Sequence, residues 1–180
     1  MKIKGLTFLL LTFALTTFGQ SNNTSASSKV AIKSNFSFQA IKVYQESAVF
    51  KVKDYYAYLE LYANEEASDS LKTAIKNAIH NLFIQKNIKV VDFVTSENNP
   101  ILLDKLLDKI ENKNYKFKLT ALENSIVGAD FWTTKYNLEV IETNQRCSIE
   151  VFSKIIFKPV EKNFGSTTKE VWTLFLGEIE

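Results

Sequence analysis

One histidine, His80, and one cysteine, Cys147, are all that the 180 residues supply of the side chains most often used as tuned bases and nucleophiles. Advancing about 100° per residue around a helix from Leu71 puts His80 opposite an apolar face centred near Leu71 and Leu82, which predicts a solvated histidine. Cys147 falls at an apolar position of an alternating run and is expected to be a buried spectator. With no second cysteine, no disulfide forms within the chain, and one residue of each type cannot assemble a zinc site of the usual ligand spacing. Asp104 and Asp108 stand four apart on a helical stretch, so they share a face and could act as paired carboxylates or as ligands for a hard cation. Interleaved with Lys105 and Lys109, they read as a solvated face. Beyond residue 19 the glycines are Gly128, Gly165 and Gly177, too far apart for a phosphate-cradling loop, and no Gly-x-Ser-x-Gly elbow occurs. The expectation is a protein that is not an enzyme and uses neither cofactor nor metal, with a hydrolase built on carboxylates alone as the catalytic rival.

Aromatic side chains are the remaining candidates, because tyrosine and tryptophan join apolar area to a polar handle and suit both partner surfaces and sugar platforms. On an extended reading of residues 55–63, Tyr56, Tyr58 and Tyr62 line one face, with Trp132 and Trp172 on strands that neighbour one another. These five are the candidate binding residues. The competing reading is that they cover the sheet against a helix.

The elements that must position them follow from periodicity. Phe36, Phe38 and Ala40 alternate with polar residues before the phase shifts to Ile41 and Val43, which predicts a bulged strand, and a second short strand is predicted from Ala48 to Lys53. Alternation from Tyr55 to Ala63 predicts a third, although Tyr55, Tyr58, Leu59 and Tyr62 also fit one side of a helix. The clearest element is a helix from about Ser68 to Lys86, where residues such as Leu71, Ile75, Ile79 and Leu82 repeat at helical spacing on a face that must pack on a sheet. Ile88 to Val94 reads as a short strand, and Asn99-Pro100 as the cap and first turn of a second helix ending near Lys113. Four alternating stretches follow, Tyr115 to Ala121, Trp132 to Val140, Cys147 to Phe157 and Lys169 to Ile179, the middle two joined by a turn near Asn144-Gln145. The predicted class is α+β, with two helices on a mixed, mainly antiparallel sheet that ends in a meander of about four strands.

The amino end opens with Lys2 and Lys4, continues through an apolar run from Gly5 to Phe18, and carries small residues at Thr17 and Gly19. That pattern predicts a secretory signal peptide over residues 1–19, cleaved before Gln20. A membrane anchor needs about 20 apolar residues, and this run is shorter. The lysine-rich start and the ending Thr-Phe-Gly-Gln resemble the signal peptides of Bacteroidetes-type bacteria, and no cysteine near the cleavage point invites a lipid anchor. A polar leader is expected over residues 20–33 and one domain over 34–180, in a protein sent to the periplasm or beyond. Losing the two lysines of the signal balances basic against acidic side chains at 20 each. Arg146 is the sole arginine and no lysine run exceeds Lys-x-Lys, so nucleic acid is rejected as a partner.

Two blocks carry a family resemblance. Phe83-Ile84-Gln85-Lys86-Asn87 running into Ile88-Lys89-Val90-Val91-Asp92, and the later hairpin from Tyr136 to Ser153, resemble in topology a group of small envelope domains. These are the curli-secretion lipoprotein, the penicillin-binding-protein activator lipoproteins and the amino-terminal domain of the Tol-system propeller protein. In those families the first block is an amphipathic helix, a glycine turn and a Val-Val-Asp strand, and the second a paired strand ending in a Thr-Gly turn. Here Asn87 replaces the glycine, Phe93 stands where an arginine is common, and Thr143-Asn144 replaces Thr-Gly. The resemblance spans a little over half of the chain and implies a non-enzymatic domain that binds another envelope protein. The functional expectation is therefore an exported module with an envelope protein as partner. The alternative is a carrier of a small apolar or sugar ligand in an aromatic-lined pocket.

Overall fold

A six-stranded sheet covered on one face by helices organises the protein in its computed structural model, which describes residues 31–180 apart from 96, 143 and 144. The expected signal peptide, most of the expected leader and part of the turn near Asn144 lie outside the described residues. In chain order the elements are α1 (Ile32–Asn35), α2 (Phe38–Ala63), α3 (Asp69–Leu82), β1 (Lys89–Val91), β2 (Pro100–Leu102), α4 (Leu103–Ile110), β3 (Lys116–Asn124), β4 (Phe131–Glu142), β5 (Gln145–Phe164) and β6 (Thr167–Ile179). The strands lie in the order β2-β1-β6-β5-β4-β3. All neighbours are antiparallel except β1 and β6, which run parallel, so the carboxyl-terminal strand is inserted beside a strand from the middle of the chain.

The class is mixed, as the periodicity predicts, but with four helices among the described residues in place of two. The largest correction is in residues 36–63, where three predicted strands are one 26-residue helix, α2. Ser37 caps it, its hydroxyl accepting from the Ala40 N–H at 3.2 Å and so satisfying one of the donors that a helix start leaves free. The helical repeat is present in Ile41, Ala48, Val52, Tyr55, Leu59 and Tyr62, all buried. Local alternation of aromatic and β-branched residues mimics a strand over any short window, and packing along the full length overrides it. α1 begins inside the stretch read as leader, and Ile32 is fully buried.

A second correction concerns Asn99-Pro100. Pro100 pairs with Val91 in the edge strand β2, and α4 starts at Leu103. Proline is tolerated there because an edge strand has a side that needs no donor. The hairpin loop between β1 and β2 is held by Asp92, a buried carboxylate that accepts from the Val94 N–H at 3.1 Å, the Thr95 hydroxyl at 3.1 Å and the Lys109 ammonium at 2.5 Å. Every oxygen is satisfied, which is what a buried carboxylate requires. α3 is capped by Ser68, and its Ile75, Ile79 and Leu82 are buried.

Candidate functional site

The five aromatic candidates divide between the core and its margin. Tyr56 and Trp132 are buried to 1% exposure, Tyr62 is buried, and Tyr58 and Trp172 are half-buried against the core. Tyr56, Tyr58 and Tyr62 belong to a helix, so they share no strand face. The Tyr56 hydroxyl lies 3.0 Å from that of Tyr136, which lies 2.7 Å from the Ser153 hydroxyl, giving a buried chain of three hydroxyls between α2, β4 and β5. Burial holds the Tyr56 and Tyr136 phenols well above the ordinary tyrosine range. Tyr55 is raised for the same reason. Its hydroxyl and the Trp132 indole N–H are buried without a hydrogen-bond partner among the described residues.

Trp172 leads to a different place. Its ring meets Phe36 edge-on at 4.9 Å and Phe157 at 5.0 Å, and Phe36 in turn meets Tyr44 at 5.2 Å. Trp132 joins the same group through Phe157. This aromatic cluster backs an open cleft of about 390 Å³ between the start of α2 and the loop from Ser125 to Asp130. Phe36, Phe38 and Ile41 form one wall, Ile126 and Val127 the other, and Lys33 stands at the lip. Gln45 donates to the Ser125 carbonyl at 3.1 Å across the cleft, and the Ile32 N–H donates to the Ala129 carbonyl at 2.7 Å.

The loop is pinned along its length. The Ser125 N–H donates to the Thr133 carbonyl, the Gly128 N–H to the Phe131 carbonyl, and the Asp130 carbonyl accepts from Phe157. A Cβ at Gly128 would come within 3.1 Å of the Phe131 carbonyl oxygen, so glycine lets this turn close. Between these ties Ile126 projects with 87% of its surface exposed, facing a cleft whose other lip holds Phe38 at 78%. These residues are missing from the sequence-level candidates because residues 36–43 read as a strand. The signal that marks them is Ser37 as a helix cap with a phenylalanine on either side.

The titratable groups gather elsewhere. The Asp104 carboxylate lies 3.0 Å from the Lys76 ammonium and 3.1 Å from His80 Nε2. The Lys76 hydrogen bond is the main cause holding the Asp104 carboxyl below its usual range, and the same bond raises Lys76. His80 is thus not the solvated histidine expected, its side chain being only 20% exposed. The buried face of α3 centres on Ile75, Ile79 and Leu82 with Leu71 left 49% exposed, so His80 sits on the flank that meets α4. Its Nδ1 is buried without a hydrogen-bond partner among the described residues, and its Nε2 is engaged by Asp104. Asp108 takes no part in this ion pair. Cys147 is exposed, a further correction, because the first residues of β5 extend past the helical cover.

No protein-family model matches the chain, and no curated protein matches it in sequence.

Proposed function

We propose that this is an exported, non-catalytic module that binds an envelope protein, and that the cleft between Phe38 and Ile126 receives an apolar segment of that partner. The observation that carries the reading is the pair of large apolar side chains displayed on either lip of an apolar cleft by a capped helix and a pinned loop. Isolated exposed apolar residues are ordinary, but two held out over a common apolar hollow form the centre of an interface. Among the described residues Lys33 is the one charged side chain lining the cleft, whose walls are otherwise mainly apolar. Export rests on residues 1–19, and the topological likeness to the curli-secretion, penicillin-binding-protein activator and Tol propeller domains points to the same class of partner. A second reading, carriage of a small apolar ligand, draws support from the cleft volume, which falls within the roughly 300–1,000 Å³ of small-molecule sites.

The test is capture from envelope extract with the mature protein beside a Phe38→Ser, Ile126→Ser variant of unchanged melting temperature. A protein held by the first and lost by the second supports the cleft as its binding surface. Equal capture by both removes the cleft from the proposal. A small molecule carried by the native protein in gentle mass spectrometry, and absent from the variant, replaces partner binding with carriage.

A further inference from the structure

Among the described residues, the polar side chains that line the cleft between Phe38 and Ile126 are Lys33, Gln45 and Ser125, and two of them are used in holding it together. The Gln45 amide donates to the Ser125 carbonyl at 3.1 Å, and the Ser125 hydroxyl accepts from the Thr133 N–H at 3.0 Å. Lys33 is different. Its ammonium has no acidic side chain within 4.0 Å among the described residues, and no described acid lines the cleft. Asp130 ends the loop on that side, where its carbonyl accepts from Phe157, but it is not part of the lining.

The neighbours of Lys33 set it on the lip. Ile32 is fully buried, with its N–H on the Ala129 carbonyl, and its own carbonyl accepts from the Phe36 N–H at 3.1 Å. The Ser34 hydroxyl and the Asn35 amide both donate to the Ala31 carbonyl, at 2.7 Å and 2.8 Å, which closes the turn. Phe36 then enters the aromatic cluster against Trp172. The backbone that carries the ammonium is thus fixed on both sides before a partner arrives, so binding orders little more than the lysine side chain itself. The Phe38 wall has the same sign, because it is the amino end of α2 and the first turn of that helix holds no acidic residue to offset the partial positive charge there.

Given that the cleft is a partner's docking site, on which this rests, we propose that the segment it receives carries an acidic side chain directly beside its apolar residues, and that Lys33 selects for that acid. A neutral surface closing over the lips strips water from the ammonium without replacing it, and a basic one opposes its charge. A carboxylate pairs with it and fixes which apolar side chains fall into the hollow. A protein segment fits better than a small amphiphile of the same chemistry, because Phe38 and Ile126 are 78% and 87% exposed. A ligand small enough to lie in the hollow leaves their outward sides in water, whereas a protein surface covers them.

The experiment is selection from a displayed library of random peptides on the full chain and, in that same chain, on Phe38→Ser with Ile126→Ser, on Lys33→Gln and on Lys33→Glu, all of matched melting temperature. The expected result is that the unmodified chain, and not the Phe38→Ser, Ile126→Ser variant, enriches sequences with Asp or Glu next to large apolar residues. Lys33→Gln is expected to lose the acidic preference and keep the apolar one, and Lys33→Glu to exchange it for Lys or Arg. With the best peptide made synthetically, replacing its acid by the amide is expected to weaken binding to the unmodified chain about fivefold at low salt, less at high salt, and to change nothing with Lys33→Gln. Apolar peptides without an acidic preference, or an acidic preference that survives in Lys33→Glu, overturn the proposal and leave the cleft as a docking site. Enrichment that does not depend on Phe38 and Ile126, or none at all, overturns both. Decanoate is the small-molecule arm: its binding, lost in the cleft and lysine variants alike while no peptide is enriched, gives the cleft to a carrier of amphiphiles and overturns the proposal too. The acid-to-amide change and the salt series on the unmodified chain decide the matter independently of whether a variant folds.

Discussion

The two halves of α2 carry similar residues and meet opposite fates. In the carboxyl half Tyr55, Tyr56, Leu59 and Tyr62 are buried, whereas Phe38, Val43 and Phe50 of the amino half are each more than half exposed. The carboxyl half is hemmed in by α3, α4 and β3, with Tyr55 against Phe83 and Tyr56 against Phe117. The amino half has the aromatic cluster on one side and the loop around Ile126 at its tip, so only part of its circumference is covered. Aromatic type therefore says little about function here. The tyrosines that look like a binding surface bind the fold together, and the displayed side chains are a phenylalanine and an isoleucine.

Alkaline pH acts on the carboxyl half of α2 and on the tyrosines of and beside the sheet. Tyr55, Tyr56 and Tyr136 have folded-state values raised above the unfolded one by burial. Their contribution is complete below about pH 10, and is lost as pH rises further because the unfolded chain ionises first. Three phenols at about 1.4 kcal/mol per pH unit each lower stability by about 4 kcal/mol for each unit above 10. Tyr115, pushed up to about 12 by burial and then by Glu142, adds to the loss. Denaturant titrations at stepwise pH, with tyrosinate absorbance followed in parallel, check this; phenols that all titrate near 10 in a still-folded protein contradict the burial.

Truncation sharpens the contrast between the halves. Tyr56→Ala is expected to cost about 3–5 kcal/mol in urea unfolding, as for other large core aromatics. Phe38→Ala is expected to stay within about 0.5 kcal/mol, and a cost above 2 kcal/mol would show the amino end to be core after all.

Hydroxyl deletion tests the interior chain at finer grain. Tyr136→Phe leaves the Tyr56 and Ser153 hydroxyls without their shared partner and is expected to cost about 1–3 kcal/mol. Tyr55→Phe removes a buried hydroxyl that has no partner among the described residues and is expected to stabilise by about 1 kcal/mol. Equal effects of the two changes would mean that Tyr55 is hydrogen-bonded in solution. A small effect is also expected at the α3–α4 ion pair, where Asp104 is 53% exposed: Asp104→Asn is expected to change stability by less than about 1 kcal/mol, read from melting temperature at low and high salt.

Much of the fold is legible in the sequence because each clear element buries one stripe. The helix around Ile75, Ile79 and Leu82, the strand around Val90 and Val91, and four alternating strands from Tyr115 onward occur where periodicity puts them, although β5 runs on past Phe157 to Phe164. Residues 36–63 are not, because alternation over eight residues and a helical repeat over 26 coexist there, and only the longer window separates them. Asn99-Pro100 misleads for a related reason: proline suits a helix start and an edge strand alike, and the neighbouring β1 decides.

The candidate site was less legible still. Ser37 is a visible helix cap, yet nothing local joins Phe38 to Ile126, 88 positions later, across one cleft. The sequence by itself determined the mixed class, the order of most elements and the poverty of catalytic side chains, since these depend on composition and on spacing along the chain. Tertiary structure alone decided which aromatics are interior, that His80 meets Asp104, and that Phe38 and Ile126 flank one cleft. Exposure and side-chain pairing are properties of segments distant in the chain, and the packing of helices on a sheet of fixed register is what brings such segments together.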